Sequence, residues 1–275
     1  MPNYVRNIVT FKGTKEKLEE LISYLKKSGH NELKFTYILR VPEELYAVES
    51  CENEVEVAIG EYLMDGTLNC MNLPSLIYGT VKAEMEAMLH FTCHTDIELM
   101  KMYMAHKLMN GYMEANYWSK CIKWYANYKK YGVADWYGWC VDKWGTKWNP
   151  CDADTFDVLL PMKETADVYS MRYRFSTAWD IPKGIYEALS KHFPEISMEV
   201  EYADEDYGYN CGHICYKNGE VSTIHAYADD EMESFAFSMR IWDHEELLAY
   251  VKKAEDGHLV FDVDAYDDYL TSKAF

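Results

Sequence analysis

The sequence predicts an α+β protein built on a split ferredoxin-like βαβ…βαβ sheet, with helices on one face, a large inserted helical lobe and a C-terminal β-hairpin extension. Three observations support this class. Residues 4–39 and 169–202 each show a strand, helix and strand pattern, a long helical pattern separates them, and Asn218-Gly219 follows as a hairpin turn. The predicted core comprises 1–48 and 135–275, and the predicted lobe comprises 49–134.

The first βαβ unit follows from hydrophobic spacing. Residues 4–11 alternate and are rich in β-branched side chains, which predicts a strand. Gly13-Thr14 supplies a turn and an N-cap for a helix whose apolar face is Leu18, Leu21, Ile22 and Leu25. Residues 33–39 alternate again, which predicts a second strand.

The second unit repeats the order. Residues 169–175 alternate as a strand, and Pro182 suits the first turn of a helix. Residues 198–202 alternate as the returning strand. Beyond them, 212–217 and 220–227 predict the hairpin strands, 235–241 predict a further strand, and Asp243 with Glu246 predicts a capping box for a helix to Lys253.

The intervening lobe shows helical spacing. Helices are predicted at 54–64, at 81–89 and from 96 to about 130, with a break at Gly111. No Pro-, Gly- or Ser-rich tract marks its boundaries, so we do not expect the lobe to fold alone.

Composition excludes several classes of function. The 275 residues carry 46 acidic and 27 basic side chains, for a net charge of −19. Such a surface repels nucleic acid and anionic membranes. A protein partner with a basic surface, or the solubility that high charge confers, fits this composition better. The eight cysteines at irregular spacing indicate reduced thiols, and no long apolar run is present, so we expect a cytoplasmic protein. The sequence contains no P-loop, GxGxxG or HExxH motif, so no cofactor is expected.

The segment 136–149 contains four of the eight tryptophans and joins the helical pattern to the strand pattern. Large rings bury extensive apolar surface, so we expect this segment to be the structural hinge of the fold. The tryptophans given this structural role are Trp136, Trp139, Trp144, Trp148 and, downstream, Trp179.

Four motifs resemble a known family. They are Met1-Pro2-Asn3, the segment 144–149 (WGTKWN), the segment 175–179 (FSTAW) with Pro182, and the segment 201–206 (EYADED) with Gly208. In this order they resemble the YubB-type ferredoxin-like family of plasmid- and phage-borne proteins. The resemblance implies the fold and a mobile-element setting, and it carries over no catalytic residues.

Two Cys/His clusters are weak candidates for metal sites. Cys211, His213 and Cys215 would share one strand face, but a two-residue hairpin loop places Ala226, Ile224 and Ser222 opposite them, so packed thiols are favoured. The second cluster is His90, Cys93 and His94, with His106 further on, and its spacing matches no established zinc module. The sequence suggests two pairs of a nucleophile and a base, Cys93 with His94 and Cys215 with His225, and neither lies in a known catalytic motif.

The arginines form a possible anion site. If the apolar residues of the strands face the helices, then Arg6, Arg40, Arg172 and Arg174 lie on the opposite sheet face. The favoured interpretation is that they pair with Glu199 and Glu201 on the same face, or bind backbone of the inserted lobe. The alternative is that they hold a phosphate or a carboxylate of a partner.

Aromatic and acidic residues suggest a partner surface. Tyr and Trp occupy more than one helical face of the lobe, which is typical of burial on two sides or of an interface. The predicted partner-binding residues are Trp118, Trp124, Tyr125 and Tyr128 of the lobe, and Asp204, Glu205, Asp206, Asp229, Asp230 and Glu231 of two acidic loops.

The first hypothesis is therefore a non-enzymatic, acidic protein-binding factor of a mobile element, of the anti-CRISPR or anti-restriction type, that docks on a basic, nucleic-acid-handling or defence protein of the host. A nucleotide or small-molecule binder that uses the arginine face is the second hypothesis. A thiol- or metal-dependent enzyme is the third.

Overall fold

The computed structural model describes residues 3–26, 33–51, 54–70, 94–109, 116–154, 160–161 and 167–273. The chain divides into two compact units. The first, the sheet unit, consists of Met1–Arg40 and Cys140–Phe275, and the second, the helical lobe, is Val41–Trp139. The boundaries predicted from the sequence are 48/49 and 134/135.

The sheet unit begins with strand β1 (Tyr4–Gly13), helix α1 (Lys15–Leu25) and the short helix α2 (Phe35–Ile38). The Thr14 hydroxyl caps α1 by accepting the Lys17 N–H at 3.4 Å. Leu18, Leu21 and Leu25 are the buried face of this helix.

The helical lobe contains α3 (Glu43–Tyr46), α4 (Glu54–Asp65), α5 (Asp96–Met109), α6 (Tyr117–Tyr131) and α7 (Trp136–Trp139). The backbones of α4 and α6 touch, because a Cβ on Gly60 would overlap the Cys121 carbonyl. Ile59, Met100 and Trp124 belong to one apolar cluster of this unit. The predicted inserted lobe is therefore helical, and the helix predicted at 81–89 and the break at Gly111 lie outside the described residues.

The chain then returns to the sheet unit. Its elements are a π-helical turn (Cys140–Trp144), β2 (Leu160–Pro161), β3 (Tyr169–Ala178), α8 (Lys183–His192), β4 (Ser197–Asp204), β5 (Cys211–Lys217), β6 (Glu220–Ala226), α9 (Met232–Ile241), a 3₁₀ helix (Glu245–Tyr250), β7 (Val251–Lys253), β8 (Leu259–Phe261) and α10 (Val263–Lys273).

The main sheet has the strand order β2-β3-β1-β4-β5-β6, and every neighbouring pair is antiparallel. Val5 of β1 lies opposite Thr177 of β3 on one side and Asp204 of β4 on the other. Strands β1 to β4 with α1 and α8 give the two split βαβ units. The β5–β6 hairpin adds two strands beyond β4, and the left-handed backbone of Asn218 (φ 52°) and Gly219 (φ 80°) forms its turn.

Helices cover both faces of this sheet, whereas the sequence analysis expected them on one. Phe11 of β1 and Leu21 of α1 line a small cavity with Leu189 of α8, so one face packs beneath α1 and α8. Ile8, whose side chain points to the other face, clusters with Phe237 and Ile241 of α9.

A buried polar network ties β1, β3 and α8 together. The Tyr186 hydroxyl donates to Asn7 Oδ1 at 2.7 Å. The Asn7 amide donates to the Val5 carbonyl at 2.8 Å and to Thr177 Oγ1 at 2.9 Å. The Thr177 hydroxyl in turn donates to the Asp180 carbonyl at 2.9 Å, which fixes the corner after β3. Each group is therefore satisfied without water.

The strand predicted for 33–39 is wrong, because this segment contains α2. The Asn149 side chain accepts the Phe35 N–H at 2.8 Å, and the Phe35 ring packs edge-on against Trp144 and Phe175. Residues 33–39 therefore do not join the sheet, and the edge strand beside β3 is the short β2, Leu160–Pro161. Contacts with residues remote in sequence determine the conformation of residues 33–39, and the local sequence pattern does not indicate these contacts.

The strand predicted for 235–241 is also wrong, because this segment belongs to α9. Phe237 and Ile241, four residues apart, pack on the sheet. Phe235 and Met239, also four apart, pack with Leu247 on the other side. Two interleaved i, i+4 pairs on a helix buried on two sides imitate the period of a strand.

The segment after α9 also differs from the prediction. The helix predicted to start at Asp243 and run to Lys253 is instead the 3₁₀ helix Glu245–Tyr250 followed by β7. The tail, which the sequence left unassigned, forms α10.

Candidate functional site

Two acidic loops lie side by side at one edge of the sheet unit. The Asp230 N–H donates to the Gly208 carbonyl at 3.0 Å, and the Asn210 N–H donates to Asp229 Oδ1 at 3.4 Å. These bonds join the loop between β4 and β5 to the loop between β6 and α9. We call the resulting surface the acidic edge, defined by the exposed carboxylates of Glu205, Asp206, Asp229, Asp230 and Glu231.

The backbone holds both loops firmly against α9. Gly208 has φ 84°, and a Cβ there would lie 2.6 Å from the Phe235 ring, so only glycine fits. The Gly208 N–H donates to Ser238 Oγ at 2.9 Å, and the Glu231 N–H donates to Ser234 Oγ at 3.1 Å at the start of α9. The acidic edge is therefore mounted on a rigid element.

Asp204 supports this surface from beneath. Its side chain is 2% exposed, and Asp204 Oδ1 accepts the Asp206 N–H at 3.0 Å and the Asn3 amide at 3.4 Å. Burial raises the pKa of Asp204, and the bond from the Asp206 N–H opposes that rise. The sequence analysis placed Asp204 on the partner surface; its burial excludes that role and makes it a structural support.

Apolar side chains accompany the carboxylates. Tyr209 is 52% exposed and Met232 is 46% exposed. Tyr209 stands in the loop between β4 and β5, and Met232 is the first residue of α9. Met232 also belongs to the lining of a surface depression, which consists of His225, Ala226, Tyr227, Ala228, Glu231, Met232 and Glu233. Neither Tyr209 nor Met232 was predicted from the sequence, although a methionine between Glu231 and Glu233, and a tyrosine three residues after Asp206, are a usable signal for an interface.

Two carboxylates of the acidic edge accept hydrogen bonds from uncharged groups. Glu205 accepts the Tyr4 N–H at 3.0 Å, and Asp206 accepts the Asn3 amide at 2.6 Å, and both donors are neutral. Within the ranges that the structure describes, none of the five carboxylates forms an ion pair with Lys, Arg or His. Residues 204–216 and 218–239 contain no Lys or Arg at all.

The aromatic residues of the helical lobe give a different result. Trp124 is 4% exposed and its indole N–H donates to the Glu49 carbonyl at 2.8 Å. Tyr125 is 6% exposed and its hydroxyl donates to Asp65 at 2.6 Å. Trp118 and Tyr128 are partly buried against the same cluster. Trp124 and Tyr125 therefore belong to the core of the lobe and do not form the predicted contact surface.

Arg6, Arg172 and Arg174 share the sheet face that α9 partly covers, as the alternation predicts. Arg40 does not, because the strand predicted to carry it is absent.

The predicted ion pairs on this face also differ. Arg6 and Arg174 both reach Asp243, at 3.4 Å and 2.8 Å, and Arg6 stacks 4.2 Å from the Trp242 ring. Burial, with the nearby charge of Arg174, lowers the pKa of Arg6. Glu199 and Glu201, the predicted partners, bind Lys12 and Arg240 instead, at 2.6 Å and 2.7 Å.

The hairpin thiols do not assemble a site. A bulge at Cys215 shifts the register, so His213 faces His225 rather than Ile224, and Cys215 faces Thr223 rather than Ser222. Cys215 Sγ lies 3.5 Å from His213 Nε2. Among the described residues, no group of three or more His, Cys, Asp or Glu side chains is arranged to hold a metal ion.

Both cysteines of the hairpin are also poor nucleophiles. Burial raises the pKa of Cys211 to about 12, and burial together with Glu199 raises the pKa of Cys215. In the second cluster, His90 and Cys93 lie outside the described residues. His94 is exposed, and its backbone N–H donates to the Glu98 carboxylate at 2.9 Å. His106 lies in α5.

The tryptophans of segment 136–149 have separate roles. The boundary between the two units falls inside this segment, between Trp139 and Cys140. Trp144 is 1% exposed and donates to the Leu39 carbonyl at 2.9 Å. In the lobe, Trp136 stacks on Tyr46 and Trp139 packs edge-on against Tyr131.

Trp148 and Trp179, by contrast, are 42% and 45% exposed. Burial does not explain why these two large rings are present.

Comparison with known proteins supports the fold. Residues 143–247 match the model of the family described as a ferredoxin-like domain in Api92-like protein. The comparison with curated proteins finds no match. The crystal structure of a protein Api92 from Yersinia pseudotuberculosis is 12% identical, covers 84% of this chain and 100% of that chain, and has a TM-score of 0.37, which is too low to carry an argument.

The family match and the strand order confirm the predicted α+β, ferredoxin-like fold class. They assign no activity. In the described part of the chain, no helix has the length and apolar character needed to cross a membrane.

Proposed function

We propose that this protein is a non-enzymatic binding factor whose acidic edge docks on a basic surface of a partner protein. One observation carries the proposal: hydrogen bonds between two loops bring together five exposed carboxylates, none of them ion-paired with a described residue, near Tyr209 and Met232. Tyrosine and methionine are enriched in protein interfaces. The surrounding negative charge accelerates encounter with a positive partner.

The position of these charges favours a protein partner over nucleic acid. A negative field repels phosphate, and within the described residues the sheet unit offers no open cluster of arginines to offset it, because Asp243 engages Arg6 and Arg174. The same observation weakens the nucleotide-binding alternative. The raised pKa values of Cys211 and Cys215 weaken the alternative of a thiol-dependent enzyme.

We further propose that the protein belongs to a mobile genetic element and acts in the bacterial cytoplasm as an inhibitor of a nucleic-acid-handling or defence protein, of the anti-CRISPR or anti-restriction type. The similarity of four motifs to YubB-type proteins supports the setting. A rigid acidic surface supports the mode of action, because it offers carboxylates to a groove that otherwise receives phosphates.

The test is a pull-down from bacterial lysate at low and high ionic strength, with bound proteins identified by mass spectrometry. The informative variant carries Asp229→Asn, Asp230→Asn and Glu231→Gln. The matched control neutralises three exposed carboxylates of α1, with Glu16→Gln, Glu19→Gln and Glu20→Gln. We expect wild type and the control to capture a basic protein at low salt only, and the acidic-edge variant to lose it. Capture that all three proteins share would contradict the proposal.

A further inference from the structure

Two exposed tryptophans of the sheet unit share one cation. Lys147 Nζ lies 3.8 Å from the ring centroid of Trp148 and 3.8 Å from that of Trp179. Nearly half of the surface of each tryptophan residue is exposed. We call Trp148 and Trp179 the tryptophan pair. Its geometry is that of a two-ring cation site, which here holds the protein's own lysine.

The backbone fixes the first ring of the pair. Gly145 has φ 90°, and a Cβ there would lie 2.7 Å from the Ile181 carbonyl oxygen. The Thr146 hydroxyl donates to the Ala178 carbonyl at 2.8 Å. A Cβ on Gly184 would overlap the Lys143 carbonyl, so α8 and this segment also touch. Trp148 is therefore presented from a segment clamped to the end of β3.

The second ring is held at a strained position. Trp179 has φ 71°, a left-handed conformation that bulky residues rarely adopt. The backbone N–H of Trp179 donates to the Asn3 carbonyl at 2.9 Å. The Thr177 hydroxyl donates to the carbonyl of the neighbouring Asp180. Such strain persists only where the surrounding structure enforces it, and it is concentrated at functional sites.

Asn3 connects the pair to the acidic edge. The Asn3 carbonyl accepts the Trp179 N–H, and the Asn3 amide donates to Asp206 at 2.6 Å. One residue therefore links the backbone of Trp179 to a carboxylate of the acidic edge. Carboxylates and tryptophan rings both favour a positively charged group, the carboxylates by charge and the rings by their quadrupole.

We propose that the tryptophan pair binds a lysine or arginine side chain of the basic partner protein, and that Lys147 occupies the site in the free protein and leaves it on binding. The choice of occupant rests on the proposed function. Lys147 is partly exposed and has a flexible stem, so it can leave the site, whereas the backbone segments that carry the two rings are fixed. Lys147 keeps the rings apart and partly covered until the partner's cation replaces it.

The test uses tetramethylammonium chloride as the cation, with binding followed by tryptophan fluorescence and by the indole N–H signals in NMR spectra. Wild type should bind weakly, because Lys147 competes. The Lys147→Ala variant should bind the cation about two- to fivefold more tightly. Tert-butanol, which is similar in shape and neutral, should not bind either protein.

Removing either ring provides the control. Trp148→Ala in the Lys147→Ala background should abolish binding, and so should Trp179→Gly, which also relieves the strained φ. Two ring variants at different sites guard against the failure of one to fold. Unchanged affinity on Lys147→Ala, or equal binding of tert-butanol, would overturn the proposal.

The outcome is separable from that of the proposed function. Cation binding without capture of a basic protein would uphold the tryptophan pair and remove the protein-docking role. Capture of a basic protein through the acidic edge without binding of tetramethylammonium would remove the tryptophan pair alone.

Discussion

Replacing Tyr186 by Phe tests the network that positions the corner after β3. Tyr186 is 1% exposed, and its hydroxyl is held 2.7 Å from Asn7 Oδ1, in a residue that is 0% exposed. The substitution leaves that amide oxygen without its donor where water does not reach. An unsatisfied buried acceptor costs about 1–3 kcal/mol, so we expect the free energy of unfolding to fall by that amount.

Urea unfolding followed by tryptophan fluorescence measures this loss, and the slope of the transition should not change. The matched control is Tyr209→Phe, because that hydroxyl belongs to a side chain exposed to solvent and its removal should change stability by less than about 0.5 kcal/mol. Asn7→Ala combined with Tyr186→Phe should cost less than the sum of the two single changes. If Tyr186→Phe proves as mild as the control, the network does not have the role described above.

Three further predictions concern other parts of the chain. Gly60→Ala should destabilise the helical lobe by several kcal/mol, about the cost of a severe core overpacking, because its Cβ overlaps the Cys121 carbonyl. Circular dichroism during urea unfolding would show this loss. A variant as stable as wild type would contradict the close approach of the two helices. Burial raises the pKa of Asp204 above its ordinary 3.8, so the folded state keeps that proton to higher pH than the unfolded state, and stability falls as pH rises through the folded pKa. Asp204→Asn should therefore reduce the change in urea midpoint between about pH 4 and about pH 7, and an unchanged dependence would refute this origin. With a pKa near 12, Cys211 should react with iodoacetamide at neutral pH far more slowly in the folded protein than in urea, and equal rates would show that the thiol is accessible.

The strands of the core were predictable because each buries a regular alternation of side chains. Residues 4–11, 169–175 and 198–202 all lie in observed strands, and Asn218-Gly219 forms the predicted turn. The same rule failed at α2 and α9. In α2 a side chain over a hundred residues away accepts the Phe35 N–H. In α9 two buried faces produce a false alternation.

The candidate site was predictable in part. The acidic loops were identified from composition, but their junction depends on the Asp230 to Gly208 hydrogen bond, which only the tertiary fold creates. The tertiary fold also decides that Asp204 is buried while the other acidic residues of these loops are exposed, so the sequence did not reveal its different role. Trp148 and Trp179 were assigned a structural role from their type alone, because a sequence does not show whether a large ring is covered.

The most direct measurement of the central claim is the dissociation constant for the captured partner, determined at several salt concentrations. The acidic-edge variant (Asp229→Asn, Asp230→Asn, Glu231→Gln) should bind about tenfold more weakly than wild type at low salt and should depend less on salt, because each exposed charge contributes up to about 1 kcal/mol. The α1 control should match wild type. If the acidic-edge variant binds as tightly as wild type, with the same dependence on salt, the partner binds elsewhere.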